Sequence, residues 1–455
     1  MARRKVLIIS YHFPPVGGVK IQRMVKLIKY LGEFGFEPIV LAPRWEKRHS
    51  LDEESLAEVS RFCRIYRAPI LDLLRPFFAL RDWLRRRRRE PESGSGAAFA
   101  SPRTLPRRLI AFLAFPDPVA MWLLPALILG YRLVKRQKID LIFSTSPPFS
   151  AHLIALFLAR LSGKPFVVDL RDLWIDNPFV QQPTRVHHWL GRKLERTVLV
   201  HCAHIVCATP PLRKILTRSY EEQIARKVTV ITNGYDPADF SGPLPPGKEG
   251  FLIVHGGSVL LASGRNHQPL SEGMVKAAAR DNDFRQSSRL IYFGAMDGAN
   301  LATLRTIKND PGNLASIEYL GAISHKQAIE TIRQATLLVF LGGCEIDSNR
   351  NLVTAVTETH SIAAKLFEYL ACEKPLLLIA GACPTVELAR ECGVAHWCSS
   401  YDADKIADYL LTLFRRYYDE GDRVEANREL IARYSRRVQA QQFAQVFAAA
   451  LQCTV

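Results

Sequence analysis

Short apolar runs alternate with amphipathic helical patterns along almost the whole chain. In the first half these runs are 5–10, 38–42, 63–68, 141–145, 166–170, 204–209 and 228–232. In the second half they are 251–256, 290–294, 317–321, 337–342, 375–381 and 394–398. Apolar strands separated by crossover helices are typical of parallel sheets that are buried on both faces. The pattern therefore predicts an α/β protein built from doubly wound sheets.

The series of strands restarts near residue 250, after a segment rich in proline and glycine. A chain of 455 residues is also too long for one core of ordinary size. We predict two facing domains, 1–240 and 250–425, with ligands bound beyond the carboxyl ends of the strands. Amphipathic helices in 426–455 are expected to pack back on the first domain. Residues 71–118, which include the basic run LRRRRRE, are predicted to be an insertion.

The chain carries a formal charge of +17, which favours phosphate-bearing partners such as nucleic acids, anionic lipids or phosphorylated metabolites. We expect no nucleic acid, because no binding motif is present and the excess is clustered in the insertion. Nine scattered cysteines without a C-x-x-C pair favour buried thiols in a reducing cytosol over disulfides or metal ligands. The first apolar run is too short for a signal peptide, and no window is long enough to span a membrane.

Basic residues flank an apolar stretch at 109–131. Arg107 and Arg108 precede it, and Lys135 and Arg136 follow it. Such patterns favour docking on an anionic membrane surface, although a solvated basic loop is the alternative. We therefore expect a cytoplasmic protein that is peripheral at the inner face of the cell membrane.

A glycine pair, Gly17 and Gly18, separates the first strand from the first helix. Glycine allows positive φ and a close approach of the backbone to a ligand, and the helix start that follows favours an anion. Lys20 and Arg23 add positive charge there. The alternative is a tight turn that only connects two elements, and the dinucleotide fingerprint G-x-G-x-x-G is absent.

Polar residues follow two later strands of the first half. Ser146 ends one strand, and Arg171 and Asp172 end the next. Adjacent strand ends place these groups at the predicted binding edge. Asp172 is a candidate for sugar binding or acid–base chemistry, and a structural ion pair with Arg171 is the alternative.

A third motif begins near residue 359. Thr359 or Ser361 can cap a helix that carries Lys365 and Glu368, whose start suits a diphosphate. A glycine turn at Gly257, followed by Arg265, provides another strand end and another cation. A surface carboxylate and a solvated arginine are the alternatives for Glu368 and Arg265.

Four segments in order give the chain its resemblance to a known family. They are YHFPPVGGVKIQR, DLIFSTSPPFSAHLIA with KPFVVDLRDLW, VITNGYDPADF, and KLFEYLACEKPLLLIAG. Together they resemble family 4 glycosyltransferases of the GT-B fold, and most closely the bacterial branch that builds surface polysaccharides. The resemblance implies two Rossmann-like domains, acceptor binding in the first and nucleotide-sugar binding in the second. It also implies a terminal helix that crosses back to the first domain.

The resemblance implies roles for particular residues. Asp172, Arg265 and Glu368 would be catalytic, with Arg265 on the leaving diphosphate and Glu368 on the ribose. The donor and its phosphates would lie against Gly17, Gly18, Gly257, His360, Ala363, Ala364 and Lys365, and the acceptor against Lys20, Arg23, Ser146 and Arg171. In the family a glutamate that touches the transferred sugar precedes Glu368 by eight positions. Here that position is His360, while Glu358 is near but out of register.

The expected activity is a retaining transfer of a sugar to a lipid-linked or polysaccharide acceptor. We expect no metal and no cofactor, since the nucleotide sugar is a substrate and no Asp-x-Asp ends a strand. Two alternatives stay open: a nucleotide-sugar 2-epimerase on the same architecture, and a catalytically degenerate scaffold protein.

Overall fold

The computed structural model describes residues 3–44, 52–71, 115–177, 184–243, 250–347, 351–421 and 424–452. The chain divides into two compact units. The first unit comprises Met1–Ala208, Arg213–Ile231 and the chain from Ala440 onward. The second unit comprises Thr209–Leu212 and Thr232–Gln439.

The first unit contains a parallel sheet of seven strands in the order β3-β2-β1-β4-β5-β6-β7. The strands are β1 Arg4–Ile9, β2 Phe36–Pro43, β3 Arg64–Ala68, β4 Leu141–Ser146, β5 Phe166–Leu170, β6 His204–Cys207 and β7 Val228–Val230. The helices up to Ile231 are α1 Val19–Leu31, α2 Glu53–Ser60, α3 Leu123–Arg136, α4 Ser150–Ser162, α5 Arg185–His201, α6 Pro210–Ser219 and α7 Glu222–Ala225. Short 3-10 turns lie at Gly32–Phe34 and Ala120–Trp122.

The second unit repeats this plan with a six-stranded parallel sheet in the order β10-β9-β8-β11-β14-β15. The strands of this sheet are β8 Phe251–Gly256, β9 Ser288–Phe293, β10 Ile317–Tyr319, β11 Leu337–Leu341, β14 Leu376–Ile379 and β15 Ala395–Cys398. Two further strands, β12 Cys344–Ile346 and β13 Leu352–Thr354, form a separate antiparallel pair. The helices are α8 Pro237–Phe240, α9 Gln268–Arg280, α10 Asn282–Ser287, α11 Gly298–Asn309, α12 His325–Gln334, α13 Ala364–Leu370, α14 Pro384–Glu391, α15 Ala403–Glu420 and α16 Arg428–Ala432. Further 3-10 turns lie at Leu261–Ser263 and Val356–Glu358.

Every predicted strand is present, and the central strands of both parallel sheets are almost fully buried, as their apolar runs indicate. In both sheets the strand order reverses direction, beside β1 in one and beside β8 in the other, which is where doubly wound sheets bind ligands. The sequence pattern missed the antiparallel hairpin of β12 and β13.

The last helix, α17 Arg436–Gln452, takes the chain from the second unit into the first. Phe443 and Phe447 lie in the core of that unit, and both rings contact the ring of Phe143 in β4. The helix is therefore part of the first core and does not simply trail from the second.

Most of the predicted insertion, 72–114, lies outside the described residues, and so do the basic run 84–90 and Arg107 and Arg108. Of the predicted apolar helix, the described part forms the turn at Ala120–Trp122 and the start of α3. Among the described helices, none combines the length and apolarity needed to cross a bilayer.

Candidate functional site

The glycine turn between β1 and α1 forms as the sequence predicts. Gly18 is the residue before α1 and has a φ of 109°, a conformation that side chains with a Cβ rarely adopt. A Cβ on Gly18 would meet nothing within 4 Å, so the backbone conformation, and not space, selects glycine. Gly17 lies beside Asp52, and Lys20 lies in the first turn of α1.

A buried ion pair lies near the carboxyl ends of β4 and β5 in the first unit. The Arg23 guanidinium donates to both carboxylate oxygens of Asp169, at 2.8 and 3.1 Å, and to the Ile231 carbonyl at 2.8 Å. Thr145 donates a further hydrogen bond of 2.8 Å to the Asp169 carboxylate. Both charged side chains are almost fully buried, and the Arg23 guanidinium also lies over the Phe443 ring. The Arg23–Asp169 pair thus finds its hydrogen-bond partners within the first unit.

This arrangement corrects the prediction that Arg23 binds the acceptor. Its guanidinium neutralises Asp169 inside the unit, because an unpaired carboxylate there would be too costly to bury. Sequence reasoning missed Asp169. The signal was a charged residue within the apolar run FVVDL, since such a residue must find a partner when its strand is buried.

Two other predicted acceptor residues, Ser146 and Arg171, lie beside this ion pair. Ser146 is buried at the end of β4, and its backbone carbonyl accepts a hydrogen bond of 2.9 Å from the Arg171 guanidinium. Burial lowers the pKa of Arg171, against the opposing charges of Asp169 and Asp172. Asp172 follows β5 and is partly exposed. Its role as a catalytic or sugar-binding residue stays a prediction.

The second unit holds a different ion pair, which joins Arg265 to Glu358. One guanidinium nitrogen of Arg265 lies 2.6 Å from Glu358 Oε1. The Glu358 side chain is 5% exposed and that of Arg265 is 24% exposed. Two buried atoms of the pair, Arg265 Nε and Glu358 Oε2, have no hydrogen-bond partner in the described structure. A buried polar atom without a partner costs about 1–3 kcal/mol, so this pair is poised to accept a ligand that supplies the missing bonds.

A glycine at the end of β11 makes room for this carboxylate. A Cβ on Gly343 would lie 2.3 Å from the Ser263 carbonyl oxygen and 3.0 Å from Glu358 Cγ. Gly264 and Asn266, the chain neighbours of Arg265, line a cavity of about 280 Å³ together with Gly342 and residues of the β12–β13 hairpin. Asn266 donates a 2.8 Å hydrogen bond to the Tyr401 hydroxyl on the same wall. The chain neighbours of Arg265 therefore line a cavity within the second unit, while Arg265 and Glu358 themselves are not among its lining residues.

The second motif of this unit is Lys365 with Glu368 on α13. The Lys365 ammonium lies 2.6 Å from a Glu368 carboxylate oxygen, and both side chains are mostly buried. Lys365 lies over the ring of Phe293 in β9, and Arg265 over the ring of Phe340 in β11. Because β9 and β11 pair with β8 on its two sides, these rings place both cations around the strand where the order reverses. Arg265 and Lys365 are thus two cations near β8 in the second unit.

Two predicted phosphate-binding amides are already occupied. The Ala363 amide donates to Thr385 Oγ1 at 3.1 Å, and the Gly257 amide donates to the Phe293 carbonyl at 2.9 Å. These two amides are therefore already used within the unit, and contact of Gly257 and Ala363 with the donor stays a prediction. Ala364 is the first residue of α13, a helix of seven residues.

The donor-binding role of His360, which stands at the position of the family's glutamate, stays a prediction. His360 is buried in the segment before α13, where its carbonyl accepts a 2.6 Å hydrogen bond from the Thr209 hydroxyl. The structure brings Glu358 to Arg265. Sequence reasoning set Glu358 aside because its spacing was out of register, although the 3-10 turn at Val356–Glu358 changes where that side chain points.

Residues 90–239 match the model of Glycosyltransferase Family 4. The match covers about a third of the chain, and it agrees with the predicted resemblance. No curated protein sequence matches the chain.

Solved structures with the same architecture cover nearly the whole of this chain. HepE of Anabaena, in complex with UDP and glucose, has a TM-score of 0.60 and 13% identity, over 98% of this chain and 100% of its own. Sucrose-phosphate synthase from Thermosynechococcus elongatus has a TM-score of 0.60 and 14% identity, over 98% of both chains. A putative UDP-N-acetylglucosamine 2-epimerase from Listeria monocytogenes has a TM-score of 0.55 and 12% identity, over 97% of this chain and 95% of its own. At these identities the likeness establishes the fold, and the predicted GT-B architecture is confirmed.

Proposed function

We propose that the protein transfers a sugar from a nucleotide-sugar donor to a hydroxyl of a lipid-linked or polysaccharide acceptor in surface glycan synthesis. The transfer retains the anomeric configuration, needs no metal, and takes place at the cytoplasmic face of the cell membrane. The observation that carries the proposal is the ion pair of Arg265 and Glu358, in which each side chain keeps one buried atom without a hydrogen-bond partner in the described structure. The pair lies near the strand-order reversal of a GT-B sheet. HepE, which shares the fold, is solved with UDP and glucose.

The charges of the second unit match the parts of a nucleotide sugar. Arg265 would stabilise the diphosphate that departs, an effect that is worth several kcal/mol when the donor group is preorganised. Glu358 Oε2 would accept a hydrogen bond from a hydroxyl of the transferred sugar. Glu368, held by Lys365, would accept hydrogen bonds from the ribose. One ligand that carries both a phosphate and a hydroxyl would satisfy Arg265 Nε and Glu358 Oε2 together.

The direct test is turnover with a panel of UDP- and GDP-sugars and a polyprenyl-diphosphate acceptor, followed by mass spectrometry and NMR. We expect one donor to be consumed, a product with the donor's anomeric configuration, and full activity in EDTA. Absence of both transfer and hydrolysis with every donor would contradict the proposal. Inversion at C-2 of the sugar without an acceptor would instead favour the epimerase alternative.

Arg265→Lys tests the site itself. Lysine keeps the charge but loses the planar fork that can contact a carboxylate and a phosphate at once, so kcat should fall by about 10²-fold or more. Tight UDP binding by the unaltered chain without any transfer, and a variant that behaves identically, would favour the degenerate scaffold.

A further inference from the structure

His255, on β8, is a buried histidine in which only one of the two ring nitrogens has a partner. Its Nδ1 lies 3.0 Å from the carbonyl oxygen of Val339 in β11, and its Nε2 is buried without a hydrogen-bond partner in the described structure. A carbonyl oxygen can only accept, so Nδ1 carries the hydrogen and donates. Burial, with a smaller effect from the charge of Arg265, lowers the pKa of His255 to about 4, so the ring is neutral at pH 7. Its Nε2 is therefore an unprotonated acceptor.

The carboxyl end of β8 lies beside both charged pairs of the second unit. The Gly256 amide donates a 2.7 Å hydrogen bond to the hydroxyl of Tyr369, which follows Glu368 on α13. On the other side, the charge of Arg265 is close enough to His255 to contribute to its lowered pKa. His255 is thus a neighbour of the two features that the proposed function assigns to the donor.

The glycine turn after β8 leaves room beside the unprotonated nitrogen. Gly257 has a φ of 147°, and a Cβ built there would lie 3.9 Å from His255 Nε2. Apart from the chain neighbours of Gly257, no other heavy atom of the described residues comes within 4 Å of that position. A donor group that approaches along the turn can therefore reach Nε2 without displacing a side chain.

Arg265 and its neighbours now account for three buried atoms without partners in the described part of the second unit. They are Arg265 Nε, Glu358 Oε2 and His255 Nε2. The first is a donor and the other two are acceptors. A ligand that completes all three must present one acceptor oxygen and two donors, which a phosphate and two sugar hydroxyls provide. A sugar without the second hydroxyl leaves a buried acceptor unpaired, and sites of this kind reject such analogues strongly.

We propose that His255 is a specificity-determining residue, whose Nε2 accepts a hydrogen bond from a hydroxyl of the transferred sugar. The donor is then a sugar with free hydroxyls for both Glu358 and His255. A deoxy group or a carboxylate in place of the second hydroxyl is rejected, because neither donates to Nε2. The inference rests on the proposed function and deepens it, since it names a class of donor sugar.

Nitrogen NMR of the full chain with isotope-labelled histidines tests the contact without any substitution. The probes are UDP-glucose, UDP-galactose and GDP-mannose, each compared with UDP or GDP alone. We expect one sugar nucleotide to move the signal of His255 Nε2 upfield, because that nitrogen then accepts a hydrogen bond, and the nucleoside diphosphate alone to leave it in place. The signal is assigned by its loss when His255 is replaced. A signal that no probe moves overturns the inference.

His255→Asn and His255→Gln separate the acceptor from the structural bond. Asparagine can keep the bond to Val339 through its amide but has no acceptor at the place of Nε2, whereas glutamine can place its amide oxygen there. In isothermal titration, His255→Asn should bind the responding sugar nucleotide about tenfold more weakly, and His255→Gln should recover most of that loss. Of the monodeoxy analogues of that sugar, the one that the unaltered chain rejects should bind His255→Asn as well as the parent does.

His152→Asn is the matched control, because it is the same substitution at a fully buried histidine of the first unit, and it should leave the affinity unchanged. Thermal unfolding shows that each variant is folded. An equal loss of affinity for UDP or GDP alone in His255→Asn overturns the inference, because His255 then supports the whole site. Turnover of a donor with the signal of Nε2 unmoved overturns this inference and leaves the proposed function intact. The expected shift without transfer or hydrolysis of any donor supports the contact and overturns the proposed function.

Discussion

The two sheets share one topology, and each unit carries a buried arginine–carboxylate pair that differs in how many hydrogen bonds it has. In the first unit, Arg23 contacts both oxygens of Asp169 and a backbone carbonyl, and Thr145 adds another bond. In the second unit, Arg265 meets Glu358 through one contact, and each side chain retains a buried atom without a partner in the described structure.

The number of hydrogen bonds that each pair makes distinguishes a pair that supports the fold from a pair that can contact a ligand. A saturated pair has no capacity for a ligand, and its removal leaves an uncompensated buried charge. An unsaturated pair carries a cost that a ligand can relieve, so it is retained where something binds. Arg23 was selected from the sequence and proves structural, whereas Glu358 was set aside and proves to lie at the candidate site.

The largest effect is expected when the saturated pair is broken. Arg23→Met leaves Asp169 buried and unpaired and should lower the free energy of unfolding by about 3–5 kcal/mol. Hydrogen exchange followed by mass spectrometry should show lost protection in peptides of the first unit. Peptides of β8 to β11 should keep their protection.

The double variant Arg23→Met with Asp169→Leu is the control for this prediction. Removal of both charges eliminates the unpaired carboxylate, so most of the lost stability should return. A single variant as stable as the unaltered chain would show that the pair contributes nothing.

The unsaturated pair should show the opposite balance. Glu358→Gln keeps the size of the side chain and an acceptor oxygen, so stability should change by only about 1 kcal/mol. The value of kcat/KM for the donor should fall by about 10²-fold, because a charged acceptor is lost where the sugar binds.

Glu318→Gln is the matched control, because Glu318 also lies 2.6 Å from an arginine, Arg289, in the same unit. It should leave kcat/KM unchanged. If both variants behave alike, or if His360→Ala alone abolishes donor use, Glu358 does not hold the donor.

A third comparison concerns one buried histidine in each unit. Burial lowers the pKa of His152 in the first unit to about 3 and that of His255 in the second to about 4. An unfolded histidine titrates near 6.5, so below that pH the unfolded chain binds more protons and stability falls. At pH 5.5 each histidine should cost about 1.4 kcal/mol relative to pH 7.5. Urea unfolding at the two pH values, compared between the unaltered chain and variants of each histidine, measures these contributions.

His152→Asn and His255→Asn check the source of this pH dependence. Each substitution should make the change in stability between pH 7.5 and 5.5 smaller by about 1.4 kcal/mol, since asparagine does not titrate. A loss that persists in the double variant would assign the acid sensitivity to other groups.

The sequence predicted the sheets far better than the site. Runs such as FVVDL and FLIVHG predict buried parallel strands, because the pattern and composition of apolar residues in a strand depend only on its local burial. Whether Arg23 is paired depends on Asp169, which is 146 positions away. Whether Arg265 is paired depends on Glu358, which is 93 positions away. Partners at such separations are fixed by the fold and have no local signature. The pairing of Glu368, by contrast, has a local signature, because its partner, Lys365, lies three residues before it on the same helix.

The smallest expected effect concerns that local pair. Glu368→Gln removes the charge that would accept hydrogen bonds from the ribose, and it frees Lys365 to approach a phosphate, so the two changes partly offset each other. The Kd for UDP should rise by about tenfold in isothermal titration, which corresponds to about 1.4 kcal/mol. The preference for UDP over 2′,3′-dideoxy-UDP should disappear in the same variant, because the protein then has no carboxylate at position 368 to accept hydrogen bonds from the ribose hydroxyls. Glu373→Gln, which alters an exposed ion pair with Arg428 just after the same helix, should preserve both quantities. A ribose preference that survives Glu368→Gln would place the ribose elsewhere and reduce the Lys365–Glu368 pair to a local structural contact.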